Sequence, residues 1–259
     1  MEHPYAGSPQ QDFSSASTLV VDTPSQTSRR RRYESLRAQA PVVVPSLLLC
    51  DFGHLADEVR KLEDAGAPAL HLDVMDGHFV PNLTYGPPIV KAVRRVTELP
   101  IETHLMISDP AHYAEQFFEA GADAITFHYE AVPDPRPLLE KLRSLGAVAG
   151  LAYNPETPVS AIRACLDACD SVLTMSVSPG FGNQHFETVA LTKLRELSGL
   201  VGKNVLLEVD GGVNAKTIAD CAAAGAHSHI VGSAIFSHPD YSQTIAALLR
   251  LARSQPRTH

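Results

Sequence analysis

The chain has 259 residues, 44% hydrophobic and 19% charged, with a formal net charge of −8. That is enough apolar material for one large core, but no apolar run approaches the roughly 20 residues of a membrane-spanning helix, and the negative field works against nucleic acid and anionic lipid. Cys50, Cys165, Cys169 and Cys221 form no CxxC pair and read as buried thiols of a protein in the reducing cytoplasm rather than as zinc ligands or a disulfide framework.

Residues 1–40 are rich in Ser, Gln, Pro and Arg, with one short apolar run at 19–21. So little can be buried that the segment reads as a disordered N-terminal tail, and the arginines at 29–32 as a solvated charge run. An organellar transit peptide stays open as an alternative, because the segment is Ser- and Arg-rich, although Glu2, Asp12 and Asp22 count against it. From residue 41 the pattern changes, and 41–259 reads as a single domain. Short β-branched or apolar runs predict eight strands, at 42–47, 69–73, 101–106, 124–127, 148–153, 172–175, 205–210 and 229–232. Amphipathic stretches predict helices at 55–65, 111–120, 137–145, 188–197 and 215–224, with 241–253 closing the chain. Gly66, Gly121, Gly146 and Gly225 recur between helix and strand, where glycine can end a helix in left-handed backbone at no steric cost. Repeated with parallel strands, this unit closes into an α/β fold of the (β/α)8 barrel type. An open doubly wound sheet is the alternative, but Asp51-Phe52-Gly53 follows the first strand where a dinucleotide-binding turn would need G-x-G-x-x-G.

Barrel strands deliver their C-terminal ends to one mouth. Side chains alternate faces along a strand, so His71 and Asp73 point the same way, and His104 and Asp210 fall at the ends of the third and seventh strands. Polar groups at the tips of apolar strands are costly to desolvate unless paired or ligated. Two imidazoles and two carboxylates at one rim make a donor set for one divalent metal ion, which zinc, iron(II), manganese and cobalt would all accept. Glycine-rich loops follow strands six to eight: Ser178-Pro179-Gly180-Phe181-Gly182, Gly211-Gly212 and Gly232-Ser233. Backbone N–H groups there can approach an anion closely, so these loops read as a phosphate cradle.

Longer motifs surround these residues: Pro45-Ser46, the run from His71 to Asn82 (HLDVMDGHFVPN), His104-Leu105-Met106, Asn154-Pro155-Glu156-Thr157-Pro158, the run from Met175 to Gly182 (MSVSPGFG) and the run from Glu208 to Asn214 (EVDGGVN). Together they resemble the ribulose-phosphate 3-epimerase family over residues 41–249 or so. The resemblance implies a barrel of the ribulose-phosphate binding type, usually a homo-oligomer, that interconverts D-ribulose 5-phosphate and D-xylulose 5-phosphate in the pentose phosphate pathway. It makes His71, Asp73, His104 and Asp210 metal ligands, Asp73 and Asp210 the acid/base pair, and Ser46 and His104 substrate contacts. Met75, Met106 and Met175 would lie beside the substrate, with Gly180, Phe181, Gly182, Asn183, Gly211, Gly212, Gly232 and Ser233 around its phosphate.

The chemistry agrees with that transfer. Epimerising a carbon beside a ketone removes a proton from one face and returns one to the other, so two bases must flank a planar enediolate. A divalent cation would stabilise its negative charge. Asn183 stands where the family commonly has a second glycine, and Asn is the side chain next most tolerant of left-handed backbone. Leu49, Cys50, Thr103 and Tyr153 also depart from the family's commonest residues, which keeps an allulose 6-phosphate 3-epimerase as an alternative. A related decarboxylase would need Asp-x-Lys-x-x-Asp, whereas the run from His71 to Asp76 has no lysine. A barrel that binds a sugar phosphate without catalysis is the non-enzyme alternative.

Overall fold

The computed structural model describes residues 26–255. Eight strands pair in parallel: β1 (Val42–Pro45), β2 (Leu70–Met75), β3 (Ile101–Met106), β4 (Ala124–His128), β5 (Val148–Tyr153), β6 (Ser171–Met175), β7 (Leu206–Asp210) and β8 (Ser228–Val231). Their order is β1-β8-β7-β6-β5-β4-β3-β2, and a parallel bridge between Ser46 and His71 joins β1 to β2 and closes the cylinder. The expected (β/α)8 barrel is the fold. Alternation divides the apolar residues into two shells. Leu72, Val74, Leu105, Ile125, Phe127, Leu151, Val172 and Val209 pack outward under the helices, while Val42, Val44, Ala124, Val148, Ala152, Leu173, Leu206 and Ile230 fill the interior.

Ten α-helices accompany the strands among the described residues: α1 (Gln26–Gln39), α2 (Leu55–Asp64), α3 (Pro87–Arg94), α4 (Pro110–Ala120), α5 (Arg136–Leu145), α6 (Val159–Ile162), α7 (Val189–Ser198), α8 (Ile218–Ala223), α9 (Ser233–Phe236) and α10 (Tyr241–Ala252). None of the helices is long and apolar enough to cross a membrane. The Asp109 carboxylate accepts from the His112 N–H at 3.2 Å to start α4, and Asp240 accepts from Gln243 N–H at 2.8 Å to start α10. The four punctuating glycines take positive φ, from +82° at Gly66 to +119° at Gly121. Helix α3 was not among the predicted helices; prolines in its first turn forfeit no intrahelical bond and start it. The first strand is shorter than expected, since Leu47–Leu49 turn into a 3-10 helix capped by Ser46.

The reading of 1–40 as a disordered tail is corrected for its last third; residues 1–25 lie outside the described residues. Helix α1 lies across the N-terminal end of the barrel, with Tyr33 and Leu36 buried against the interior shell. Three arginines of the 29–32 run are not solvated, while Arg31 is exposed. Arg29 Nη1 donates to Phe118 O at 3.1 Å, Arg30 Nη2 to Asp170 Oδ1 at 2.6 Å, Arg32 Nη1 to Glu98 O at 2.7 Å and Arg37 Nη1 to Val205 O at 2.6 Å. These acceptors lie where the chain enters the barrel or its helices end. No apolar stripe advertises such a helix, because it docks through guanidinium groups and two side chains one turn apart.

Candidate active site

Parallel register brings the rim together. His71 pairs with Glu102 and Asp73 with His104 across β2 and β3, and Met175 pairs with Asp210 across β6 and β7. His71 Nε2 and His104 Nδ1 lie 3.3 and 3.2 Å from Asp73 Oδ1. The same nitrogens lie 4.0 and 3.8 Å from Asp210 Oδ2. One donor atom from each of the four residues falls within 4.8 Å of all the others. Around the barrel, β8 and β1 separate β7 from β2, so the two carboxylates approach from different walls.

This donor set fits a divalent metal ion. His71 Nε2 is buried with no hydrogen-bond partner, while its Nδ1 faces Glu102 Oε2 at 3.0 Å. A carboxylate on one ring nitrogen holds a proton there and leaves the other nitrogen to a metal, the usual arrangement of a ligating histidine. The charges at the rim compensate one another. Burial disfavours a charged His71, but Asp73 and Glu102 outweigh it and raise its proton affinity well above the usual imidazole range. Burial would likewise raise Asp73, yet the His71 charge and the His104 hydrogen bond outweigh it and hold that carboxyl well down. Asp210 goes the other way: burial and then the Asp73 charge push it up to about 7. Ser46 Oγ donates to Asp73 Oδ2 at 2.5 Å. Behind the rim, Tyr33 Oη donates to Glu208 Oε1 at 2.8 Å, and burial together with the facing Glu102 charge pushes Glu208 well up.

A cavity of about 570 Å³, counting the part open to solvent, sits above this cluster. Ser46, Asp73, Met75, Met106, Met175, Gly180, Phe181, Gly182, Asn183, Asp210, Gly211, Gly212, Gly232 and Ser233 all line it. His71 and His104 are fully buried and do not line it. The glycine loops need their glycines: Gly212 has φ +62°, and a Cβ there would stand 2.7 Å from Phe186 N and 2.9 Å from Gln184 O. Asn183 takes the left-handed backbone with φ 59°. Gln184 Nε2 ties the loop by donating to Ser178 O at 2.8 Å and Phe181 O at 2.9 Å, and Asn82 Nδ2 donates to Gly180 O at 2.7 Å.

Sequence reasoning missed Glu102, His128 and Glu130. Glu102 shares the inner face with His104, so alternation along 101–106 was sufficient to find it. His128 stood one residue past the strand predicted at 124–127.

Comparison with known proteins decides the family. Residues 42–236 match the Ribulose-phosphate 3 epimerase family. The chain belongs to this family. It is 43% identical over 210 residues to the ribulose-phosphate 3-epimerase of Bacillus subtilis, an overlap of 80% of this chain and 97% of that one. It is 42% identical over 221 residues to that of Synechocystis sp., covering 83% and 96%. Against the chloroplastic ribulose-5-phosphate-3-epimerase of Arabidopsis thaliana it is 40% identical over 246 residues, covering 90% and 88%. The chain is therefore an enzyme, an epimerase. Among solved structures, tryptophan synthase from Mycobacterium tuberculosis superposes with a TM-score of 0.64 at 16% identity, over 87% of this epimerase and 98% of that chain. Orotidine 5'-phosphate decarboxylase from Pyrococcus horikoshii gives 0.59 at 16% identity, over 83% and 100%. Those two likenesses concern the barrel alone.

Proposed function

We propose that this epimerase interconverts D-ribulose 5-phosphate and D-xylulose 5-phosphate, with Asp73 and Asp210 exchanging the C3 proton on the two faces of an enediolate. One observation carries the reading: two carboxylates from different walls of one cavity reach the same pair of imidazole nitrogens, and their proton affinities are driven apart. Groups with split affinities beside one cavity suit acid and base roles. Asp73, low in proton affinity and held by Ser46, is ready to accept. Asp210 stands on the other wall of the cavity, placed to return a proton on the opposite face; reversing the reaction exchanges the roles.

His71, Asp73, His104 and Asp210 would hold one divalent ion, zinc, iron(II), manganese or cobalt, which when bound supplies positive charge beside the developing negative oxygens. Met75, Met106 and Met175 give the cavity a polarizable apolar lining that offers no proton to compete with the aspartates. Backbone N–H groups of the loops at Gly180 to Asn183, Gly211-Gly212 and Gly232-Ser233 would take the phosphate. Leu49 reaches over Gly182 and narrows the space beside that cradle, which favours the pentulose over the longer allulose 6-phosphate. Four buried, unpaired cysteines accord with a reducing cytoplasm, and a homo-oligomer is carried forward from the family.

The test is incubation of metal-replete protein in deuterated water, separately with ribulose 5-phosphate and allulose 6-phosphate, followed by NMR. Epimer formation and deuterium at C3 are expected with the first. Turnover of neither overturns the reading, and binding without exchange identifies a mere binder.

A further inference from the structure

We infer that His128 and Glu130 are positioning residues: they form a relay that fixes which nitrogen of His104 carries a proton, and so keep its Nδ1 open toward the aspartates. This rests on reading His104 as a metal ligand. His104 Nε2 and His128 Nε2 lie 2.9 Å apart, with the rings tilted by only 19° and their centroids 5.0 Å apart. Both imidazoles are fully buried, so no water supplies a substitute partner, and of two facing nitrogens one must donate and the other accept.

Glu130 decides the direction. His128 Nδ1 faces Glu130 Oε2 at 3.3 Å, and a carboxylate only accepts. The proton of neutral His128 therefore sits on Nδ1, its Nε2 offers a lone pair, and His104 must donate from its own Nε2. With a cation held between His104 and the aspartates, that leaves a lone pair for it on His104 Nδ1, the atom 3.2 Å from Asp73 and 3.8 Å from Asp210; in the metal-free protein the Asp73 carboxylate instead favours a proton on that atom, so the relay works against this proton when the metal binds. The opposite tautomer of His104 would set two lone pairs against each other at 2.9 Å, or turn a bare His128 Nδ1 onto the Glu130 carboxylate. Glu130 is itself held in place: its Oε1 accepts from Asn154 N–H at 2.8 Å and from Thr157 Oγ1. Lys193 Nζ fastens that loop from behind by donating to Asn154 O, Pro155 O and Thr157 O at 3.0, 2.6 and 2.6 Å.

The anchoring makes Glu130→Gln a reversal of the relay. The glutamine oxygen must stay with the Asn154 N–H, so its NH2 group turns to His128 Nδ1, the His128 proton moves to Nε2, and His104 is pressed to carry its own proton on Nδ1. Zinc affinity by competition with a chelating dye, and imidazole 15N shifts of the zinc-loaded protein, read this directly. We expect wild-type His128 protonated on Nδ1 and His104 on Nε2, and in Glu130→Gln a zinc dissociation constant raised about tenfold to a hundredfold. His128→Gln, whose carbonyl can still accept from His104, should hold affinity within about threefold, whereas His128→Leu should lose it as Glu130→Gln does. If His128→Leu does not fold, the two glutamine variants carry the test. Folded Glu130→Gln with wild-type zinc affinity and an Nδ1-protonated His128 overturns the relay, as does zinc that leaves the His104 nitrogen shifts unmoved. The expected shifts and affinities support it even where no ketose phosphate is epimerised, an outcome that would strike only the proposed substrate.

Discussion

Asp73 and Asp210 answer to the same two imidazoles: the first lies 3.3 and 3.2 Å from His71 and His104, the second 4.0 and 3.8 Å from the same nitrogens. Asp210 keeps 17% of its side chain accessible against 4% for Asp73, so the proton-rich carboxyl is also the one nearer solvent.

If both aspartates move the C3 proton, Asp73→Asn and Asp210→Asn should each lower kcat by roughly 10²- to 10⁴-fold, since an amide neither accepts nor returns a proton. Circular dichroism should report an unchanged fold. Epimerisation followed with metal bound checks this, and a near-normal rate of epimer formation in either variant would falsify the assignment.

Metal affinity should depend on pH through Asp210. Its folded pKa of about 7 lies above the ordinary carboxyl value, so below that pH a proton competes with an incoming ion. The apparent zinc affinity should climb as pH rises through about 7 and keep climbing above it, because His71 also gives up a proton held above the usual imidazole range; Asp210→Asn should remove only the part of the climb near 7. The sign for the metal-free protein is opposite. A raised carboxyl pKa contributes stability that is full below the unfolded value and lost as pH rises through about 7, so chelation should cost more stability at the alkaline end. Chelator competition and thermal melts across this range check both signs.

Helix α1 should matter for stability and little for turnover. Tyr33→Phe removes the phenol that donates to buried Glu208 at 2.8 Å and should cost about 1–3 kcal/mol. Leu36→Ala should cost about 2–5 kcal/mol through the cavity it leaves. Urea unfolding measures both, and a fall in KM or kcat beyond twofold or so, with stability unchanged, would contradict the assignment to the barrel floor.

Gly212→Ala tests the cradle. Its Cβ would push against Phe186 N and Gln184 O, parting two of the three loops. Loss of one hydrogen bond to a charged phosphate is worth about 1.5–3 kcal/mol, so KM for the ketose phosphate should rise about tenfold or more while kcat changes less. Steady-state kinetics separate the two, and inorganic phosphate should lose its inhibition in parallel.

Much of this was legible in the residues. A period of two assigned the eight strands within a residue or two and put His71 with Asp73, because a buried barrel strand leaves no freedom about which face is inward. The convergence of His104 and Asp210 followed once the strands were known to be parallel. What stayed hidden depended on register or on docking between distant segments. Glu102 matters because His71 lies opposite it, His128 because its ring meets that of His104, and Arg30 because Asp170 stands 2.6 Å away at the far end of the barrel.

The lid that α1 makes over the barrel's lower opening has an electrical consequence. Glu102 faces His71 at 3.0 Å in the shaft that the helix closes, and the field of its carboxylate is strong because the space around it is dry. Were the helix to lift, water would reach the shaft, hydrate that carboxylate and weaken its hold on the imidazole. A segment a full barrel-length from the mouth would thereby help set how tightly the rim grips its cation.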